Sequence, residues 1–251
     1  MNFFIRPTRY LGKQIFYYPS CDSTNRQAQR LLQEGEASHG TLLYTDHQTA
    51  GRGQQGSEWE AAPSQNLTVS LILFPALTVE QQHWLTIVAS LSVHDAISFW
   101  LSPPPTIKWP NDILCESSKI CGILIQNNLK GRKIHSSVVG IGLNVNQSQF
   151  TVPGATSLAL LTGQRWNRQE VLTRWAVCAE RRLEQLEQKD FATLSDDYLA
   201  RMHWRGERHL FEDVRGQFYG TIIGIDEHGQ LMVKTEGETR YYDVKQLKYV
   251  R

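Results

Sequence analysis

Lys108-Trp109-Pro110-Asn111-Asp112, then Lys119 and Cys121-Gly122-Ile123-Leu124, then Gly140-Ile141-Gly142-Leu143-Asn144-Val145-Asn146 are the segments on which the architecture turns. Pro110 biases the residue before it toward the β region, so Ile107 to Trp109 reads as a short extended piece. Lys119 to Asn128 and Lys133 to Val145 are β-rich runs joined by a turn at Lys130-Gly131, a hairpin in the centre of a sheet. Two glycines inside the second run weaken a strand unless something must approach the backbone closely. A β-bulge with capping asparagines is the competing reading. Two lysines, an amide and a carboxylate at strand ends suit a triphosphate with its magnesium, Asp112 standing near the metal. An exposed turn with a solvated charge pair is the bland alternative. Lys119 precedes an apolar strand, which puts its ammonium at the sheet margin.

Outward from this hairpin, the chain predicts helices on either side. Ser23 to Gln33 reads as a helix with Asp22 or Ser23 as cap, Ala28, Leu31 and Leu32 on one face, and Gly35 as its stop. Strands follow at Thr41 to Thr45 and Leu67 to Leu73, and a long apolar core helix is expected over Val79 to Leu101, ended by Pro103-Pro104-Pro105. Asn167 caps a helix at Arg168 to Gln188 with one apolar stripe, and Asp190 to Met202 is helical. After Trp204, short strands punctuated by Gly216, Gly229 and Gly237 suggest a five-stranded small barrel of about 45 residues. The whole reads as an α/β domain with a small β appendage.

Composition agrees with this scale. The chain has 251 residues, one large domain with an appendage at about 150 residues per domain. With 26 Lys and Arg against 25 Asp and Glu the net charge is +1, and 41% of residues are hydrophobic. That is ordinary globular composition, without a charge reason to expect nucleic acid. Cysteines 21, 115, 121 and 178 form no CxxC, so neither a zinc site nor a disulfide framework is suggested, and reduced thiols in the cytoplasm are expected. The start, MNFFIRPTRY, is too short in apolar residues for a signal core or a membrane span.

Two further segments carry chemistry. The aperiodic stretch from Asp46 to Asn66 is long for a connection, and such loops are more often functional. Within it, Gly51-Arg52-Gly53-Gln54-Gln55-Gly56 lies between Gln48 and Trp59. Closely spaced glycines let amides approach a ligand, and Arg52 offers a planar fork for a carboxylate or phosphate. A flexible turn is the other reading, and neither a Walker A nor a dinucleotide fingerprint is present. Cys21-Asp22-Ser23-Thr24-Asn25 opens the first helix with more capping residues than one cap needs.

Taken in order, SerThrAsn, Gln48 with GRGQ and a following Trp, KWPND, the Lys119-x-x-Gly-Ile-Leu strand and GIGLNVN resemble biotin protein ligases, from about residue 14 to the C-terminus. The resemblance implies an α+β core, a central mixed or antiparallel β-sheet flanked by helices as in class II synthetase-like biotin/lipoate ligases. That core would occupy residues 1–203, with a small C-terminal SH3-like β-barrel over 204–251. It implies that biotin's carboxylate attacks the α-phosphate of ATP to give biotinyl-5′-AMP. A lysine of a biotin carboxyl carrier domain then takes the biotinyl group. Substrates would be ATP and biotin, with Mg²⁺. Lys119 and Arg52 are the expected catalytic cations. Ser23, Thr24, Asn25, Gln48, Arg52, Gly53, Gln54 and Lys119 are expected around biotin and its carboxylate. Trp59, Asn111, Asp112 and Asn144 are expected around the nucleotide, Asp112 near Mg²⁺. The loops 46–66 and 145–156 should fold over the intermediate and be mobile without it.

Two positions depart from the family. Its loop often reads GRGR, and Gln54 removes the second cation, which loosens retention of the intermediate. Cys121 stands where a smaller residue is common and has only a packing role. A lipoate or octanoate ligase or transferase is the nearest alternative, and KWPND with GRGQ favours biotin. A DNA-binding head of the kind some relatives carry has no room in the 22 residues before Ser23, so a ligase without DNA or membrane partners is expected. An edge strand of the sheet would support a homodimer.

Overall fold

The computed structural model describes residues 9–250; residues 1–8, which hold most of the N-terminal run read above, and residue 251 lie outside the described residues. Seven strands form the large sheet: β1 (Ile15–Tyr18), β2 (Thr41–Thr45), β3 (Leu67–Leu73), β4 (Thr106–Lys108), β5 (Asp112–Cys115), β6 (Ser118–Lys130) and β7 (Lys133–Leu143). Their order is β1-β2-β3-β7-β6-β5-β4. Only β1 and β2 run parallel, so the sheet is mixed. The expected hairpin is its centre, with Gly122 opposite Gly142 and Leu124 opposite Gly140.

Strand periodicity sends alternate residues to opposite faces, and helices pack on both. Helix α1 (Thr24–Glu34) lays Ala28 and Leu31 on Leu43, Ile72 and Val138. On the other face lie α2 (His83–Ile97), α4 (Arg168–Glu187) and α5 (Phe191–Ala200), preceded by the short α3 (Leu158–Thr162). There Leu42, Val69, Leu71, Val139 and Ile141 join Leu85, Val88, Trp175 and Leu183 in the main core. The fully buried Trp175 indole donates to Ser92 Oγ (3.1 Å), which satisfies its polar edge.

Several boundaries differ from expectation for local reasons. Gly35, at φ 73°, ends α1 with its N–H turned back to Leu31 and Leu32. Ser23 occupies the cap position without a side-chain cap bond, while Asp22 accepts from Ser23 N (2.8 Å) and Gln27 (2.9 Å). The helix expected over Val79 to Leu101 is a 3₁₀ turn at Val79–Gln81 followed by α2, which stops at Ile97. The Ser98 hydroxyl donates to His94 O (2.7 Å), and Trp100 turns to pack on Trp166. Strands β1 and β5 lie in stretches for which the sequence predicts no element.

The final segment forms β8 (Arg208–Asp213), β9 (Gly216–Ile225), β10 (Leu231–Lys234), β11 (Thr239–Tyr242) and β12 (Lys248–Tyr249). They pair antiparallel in the order β11-β10-β9-β8-β12, the five strands expected of the small C-terminal unit, with β11 and β12 at its margins not paired to each other. Phe211, Ile222, Leu231 and Val233 fill its inner side. Trp109 Nε1 donates to Gly229 O (3.0 Å), which ties the KWPND segment to this sheet.

Candidate functional site

Helix α1 covers only part of its sheet face. Beyond its first residues the face is left open, and Gly122, Gly140 and Gly142 floor a cleft of about 570 Å³. The glycines are there because of what lies on them. A Cβ at Gly140 would stand 2.3 Å from Asn25 Oδ1, and one at Gly142 2.3 Å from the Trp59 indole. Neither approach tolerates a side chain. The approach of other groups, foreseen from the sequence, is therefore what these glycines permit.

One end of the cleft is a polar cluster already joined by hydrogen bonds. Gln48 Oε1 accepts from Thr24 N (2.9 Å) and Thr24 Oγ1 (3.2 Å). Asn25 Nδ2 donates to Leu124 O (3.3 Å) and Gln126 Oε1 (3.1 Å). The Ser70 hydroxyl lies 2.7 Å from Thr24 Oγ1 and 2.6 Å from Asn25 Oδ1. Ser23, Thr24, Asn25 and Ser70 are buried. Sequence reasoning missed Ser70, although it is, with Thr68, one of two polar residues in the otherwise apolar run Leu67 to Leu73, a signal that its side chain meets other polar groups.

The other end is charged and more open. Lys119 Nζ lies 2.6 Å from Asp112 Oδ1, with the two side chains 38% and 25% exposed. Arg52 is exposed on the wall formed by the Gly-rich loop. That loop folds back on itself: Gly53 N donates to Ser57 O (2.7 Å) and Trp59 N to Gly51 O (3.1 Å), around a 3₁₀ turn at Gln54–Gly56. Trp59 lies over Gly122 and Gly142, its Nε1 buried without a partner and its ring 5.8 Å from Lys119 Nζ. Lys108 Nζ sits 4.7 Å over the ring of Tyr249. Tyr249, Lys245 and Lys248, from or beside the C-terminal sheet, also line this end. No local pattern could have placed them there, because their approach is a product of the sheets' packing.

Of the residues singled out from the sequence, Ser23, Thr24, Asn25, Gln48, Arg52, Gly53, Gln54, Trp59, Asn111, Asp112 and Lys119 all line this one cleft. Asn144 does not. It is buried, and its Nδ2 donates to Thr156 O (3.0 Å). Asn111 Nδ2 likewise donates to the backbone, at Ile123 O. Both asparagine amides thus hold the walls together. Cys121 is fully buried, and burial pushes its thiol well above its ordinary value, so it packs and does not ionise.

The described residues include no cluster of three or more His, Cys, Asp or Glu able to hold a metal ion by themselves. Asp112 alone fits the habit of Mg²⁺, which takes one or two carboxylates and completes its shell with phosphate oxygens and water.

The chain is 31% identical over 241 residues to the bifunctional ligase/repressor BirA of Bacillus subtilis, covering 94% of this chain and 74% of that protein. It is 33% identical over 224 residues to the biotin--[acetyl-CoA-carboxylase] ligase of Paracoccus denitrificans, covering 85% and 91%. Its structure resembles that of the biotin protein ligase from Aquifex aeolicus in complex with biotin and ATP. There the TM-score is 0.78 and the identity 29%, over 95% of this chain and 100% of that one. Residues 17–144, which carry the polar cluster, the Gly-rich loop, KWPND and the glycine-floored hairpin, match the biotin/lipoate A/B protein ligase family, and the chain belongs to that family.

Proposed function

We propose that this protein is a biotin protein ligase, which activates biotin with ATP and transfers the biotinyl group to a lysine of a biotin carboxyl carrier domain. The observation that carries the reading is one cleft with two chemically different ends: a neutral, hydrogen-bonded cluster of buried Thr24, Asn25 and Ser70 with half-buried Gln48, and the Lys119–Asp112 pair beside Arg52. The neutral end suits the ureido ring of biotin, whose N–H and C=O groups need directed partners. The cationic end suits the meeting of a carboxylate with a polyphosphate.

Those two anions repel each other, so the first step needs fixed positive charge where they approach. Lys119 and Arg52 supply it. A biotin carboxylate oxygen bonds to the α-phosphorus as the bond to pyrophosphate breaks. When bound, Mg²⁺ neutralises phosphate charge, and Asp112 supplies one oxygen toward it. In the second step the neutral amine of the acceptor lysine bonds to the acyl carbon, AMP leaves with the bonding pair, and the amine loses a proton. Trp59 covers the nucleotide side, Gly53 and Gln54 contact the bound acyl-adenylate from the loop, and Asn111 and Asn144 act through the backbone they hold.

Residues 1–203 form the ligase core in this reading, and 204–251 the C-terminal unit whose Tyr249 and Lys248 close the charged end. Among the described residues no helix is long and apolar enough to cross a membrane, and all four cysteines are unpaired. Work in the cytoplasm on a carrier domain, without a DNA target, belongs to the same reading. A homodimer would form along β1, one margin of the large sheet. Incubation with biotin, MgATP and a carrier domain, read as covalent biotin by mass, tests the activity. Acylation by lipoic or octanoic acid and not by biotin would replace this reading with the lipoate one.

A further inference from the structure

The geometry points to Glu60 as a positioning residue that latches the lid over the acyl-adenylate; this rests on the ligase reading above. Glu60 follows Trp59, whose indole lies on the glycine floor, yet its own carboxylate is not among the groups lining the cleft. It reaches across to the second aperiodic segment instead. Glu60 Oε2 accepts from Thr151 N (3.0 Å) and Thr151 Oγ1 (2.5 Å), and Oε1 accepts from Gln147 Nε2 (3.1 Å). These hydrogen bonds hold its carboxyl below the usual glutamate range.

The partner segment is fixed at its other side to the catalytic lysine. Lys119 N donates to Gly154 O (2.7 Å), and Thr156 N donates to Lys119 O (2.9 Å). Gln147, itself buried, accepts from Ala62 N (2.9 Å) and Asn66 Nδ2 (2.6 Å). A continuous path therefore runs from the Trp59 lid through Glu60 and Thr151 to the backbone of Lys119. Without the carboxylate, the exposed Thr151 groups hydrogen-bond to water, so the fold loses little while the two loops lose their shared charged contact. A mixed anhydride hydrolyses wherever water reaches it, so loop closure governs how long it survives.

Glu60→Ala is expected to release biotinyl-5′-AMP about tenfold faster in a chase with excess unlabelled biotin and ATP, the scale of one hydrogen-bonded charge. Its rate of biotinyl-5′-AMP formation should stay within about twofold, below the loss of a single net hydrogen bond, and its melting temperature should not change. Glu60→Gln should release at an intermediate rate, because its amide oxygen still accepts from Thr151. Adding Thr151→Val to Glu60→Ala should change nothing further. In the ligand-free protein, trypsin should cut after Arg52 faster in Glu60→Ala than in the parent. Equal cleavage rates, or equal release from parent and variant, would overturn the latch. A parent that forms no biotinyl-5′-AMP would overturn the ligase reading, and the trypsin comparison still reports on the latch.

Discussion

Two aspartates, Asp112 and Asp95, hold cations in opposite ways. In the cleft, Lys119 and Asp112 make a single 2.6 Å contact between partly exposed side chains. In the scaffold, Asp95 on α2 is 9% exposed and meets Arg182 at 2.8 Å, Arg181 at 2.5 Å and Arg201 at 3.9 Å. Arg182, only 3% exposed, also reaches Asp197 (2.5 Å), so this network joins α2, α4 and α5. A solvated pair with one contact contributes little to stability and opens at little cost when a ligand competes for either partner. A buried network cannot open without stranding a charge. The first arrangement suits a reacting site, the second a frame.

This contrast can be broken by substitution. Lys119→Ala should lower the rate of biotinyl-5′-AMP formation by about 10²–10³, the scale of losing one preorganised donor to developing charge, with an unchanged melting temperature. Pyrophosphate exchange and calorimetry read the two effects, and a variant that melted early with full activity would reverse the assignment of the two sites. Asp95→Ala should do the opposite. It leaves a buried guanidinium short of a partner, which costs about 3 kcal/mol, or about 6–12 °C in Tm for a chain of this size, while activity per folded molecule is retained.

Acid sharpens the same distinction. Burial alone would raise the Asp95 carboxyl, but the His94 hydrogen bond and the Arg182 and Arg181 guanidiniums outweigh it, and the group titrates at about 2 instead of 3.8. A depressed carboxylate stabilises the fold only while ionised. Its contribution of about 2 kcal/mol is complete above pH 4 and is lost as pH falls toward 2. Denaturant melts at stepped pH should show that loss in the parent and not in Asp95→Asn. A smaller effect belongs to Gln54→Arg, which restores a cation to the cleft wall. Release of biotinyl-5′-AMP should slow by about two- to fivefold, the scale of a partly solvated ion pair, and release at the parent's rate would show that Gln54 lies outside the reach of the phosphate. At the neutral end, Ser70→Ala removes a net hydrogen bond worth about 1 kcal/mol. Biotin should then bind about fivefold more weakly with the ATP dependence unchanged.

The residues of the cleft were not equally legible. Thr24, Asn25, Gln48, Lys119 and Asp112 stand in short patterns whose residue types announce their chemistry, and all line the cleft. Asn144 belongs to an equally recognisable pattern, yet its amide is taken by Thr156 O, because the chain after β7 turns back over it. Ser70 is one of two hydroxyls, with Thr68, within an otherwise apolar strand, and its meaning depends on α1 lying above it. The five strands after Trp204 pair in an order that leaves β11 and β12 on opposite margins, a matter of strand pairing that alternation cannot specify.

Local sequence by itself determined the elements and the chemistry: apolar periodicity placed most helices and strands, and Gly140 and Gly142 marked where the backbone must be approached. Only the tertiary structure decided which groups share the cleft. Tyr249 lies against Lys108, Lys248 lines the same cleft as Asp112, and Glu60 reaches Thr151 across 91 positions of chain. Such contacts are set by the packing of whole layers, whose free energy is a sum over many buried side chains, and no short stretch of sequence carries that sum.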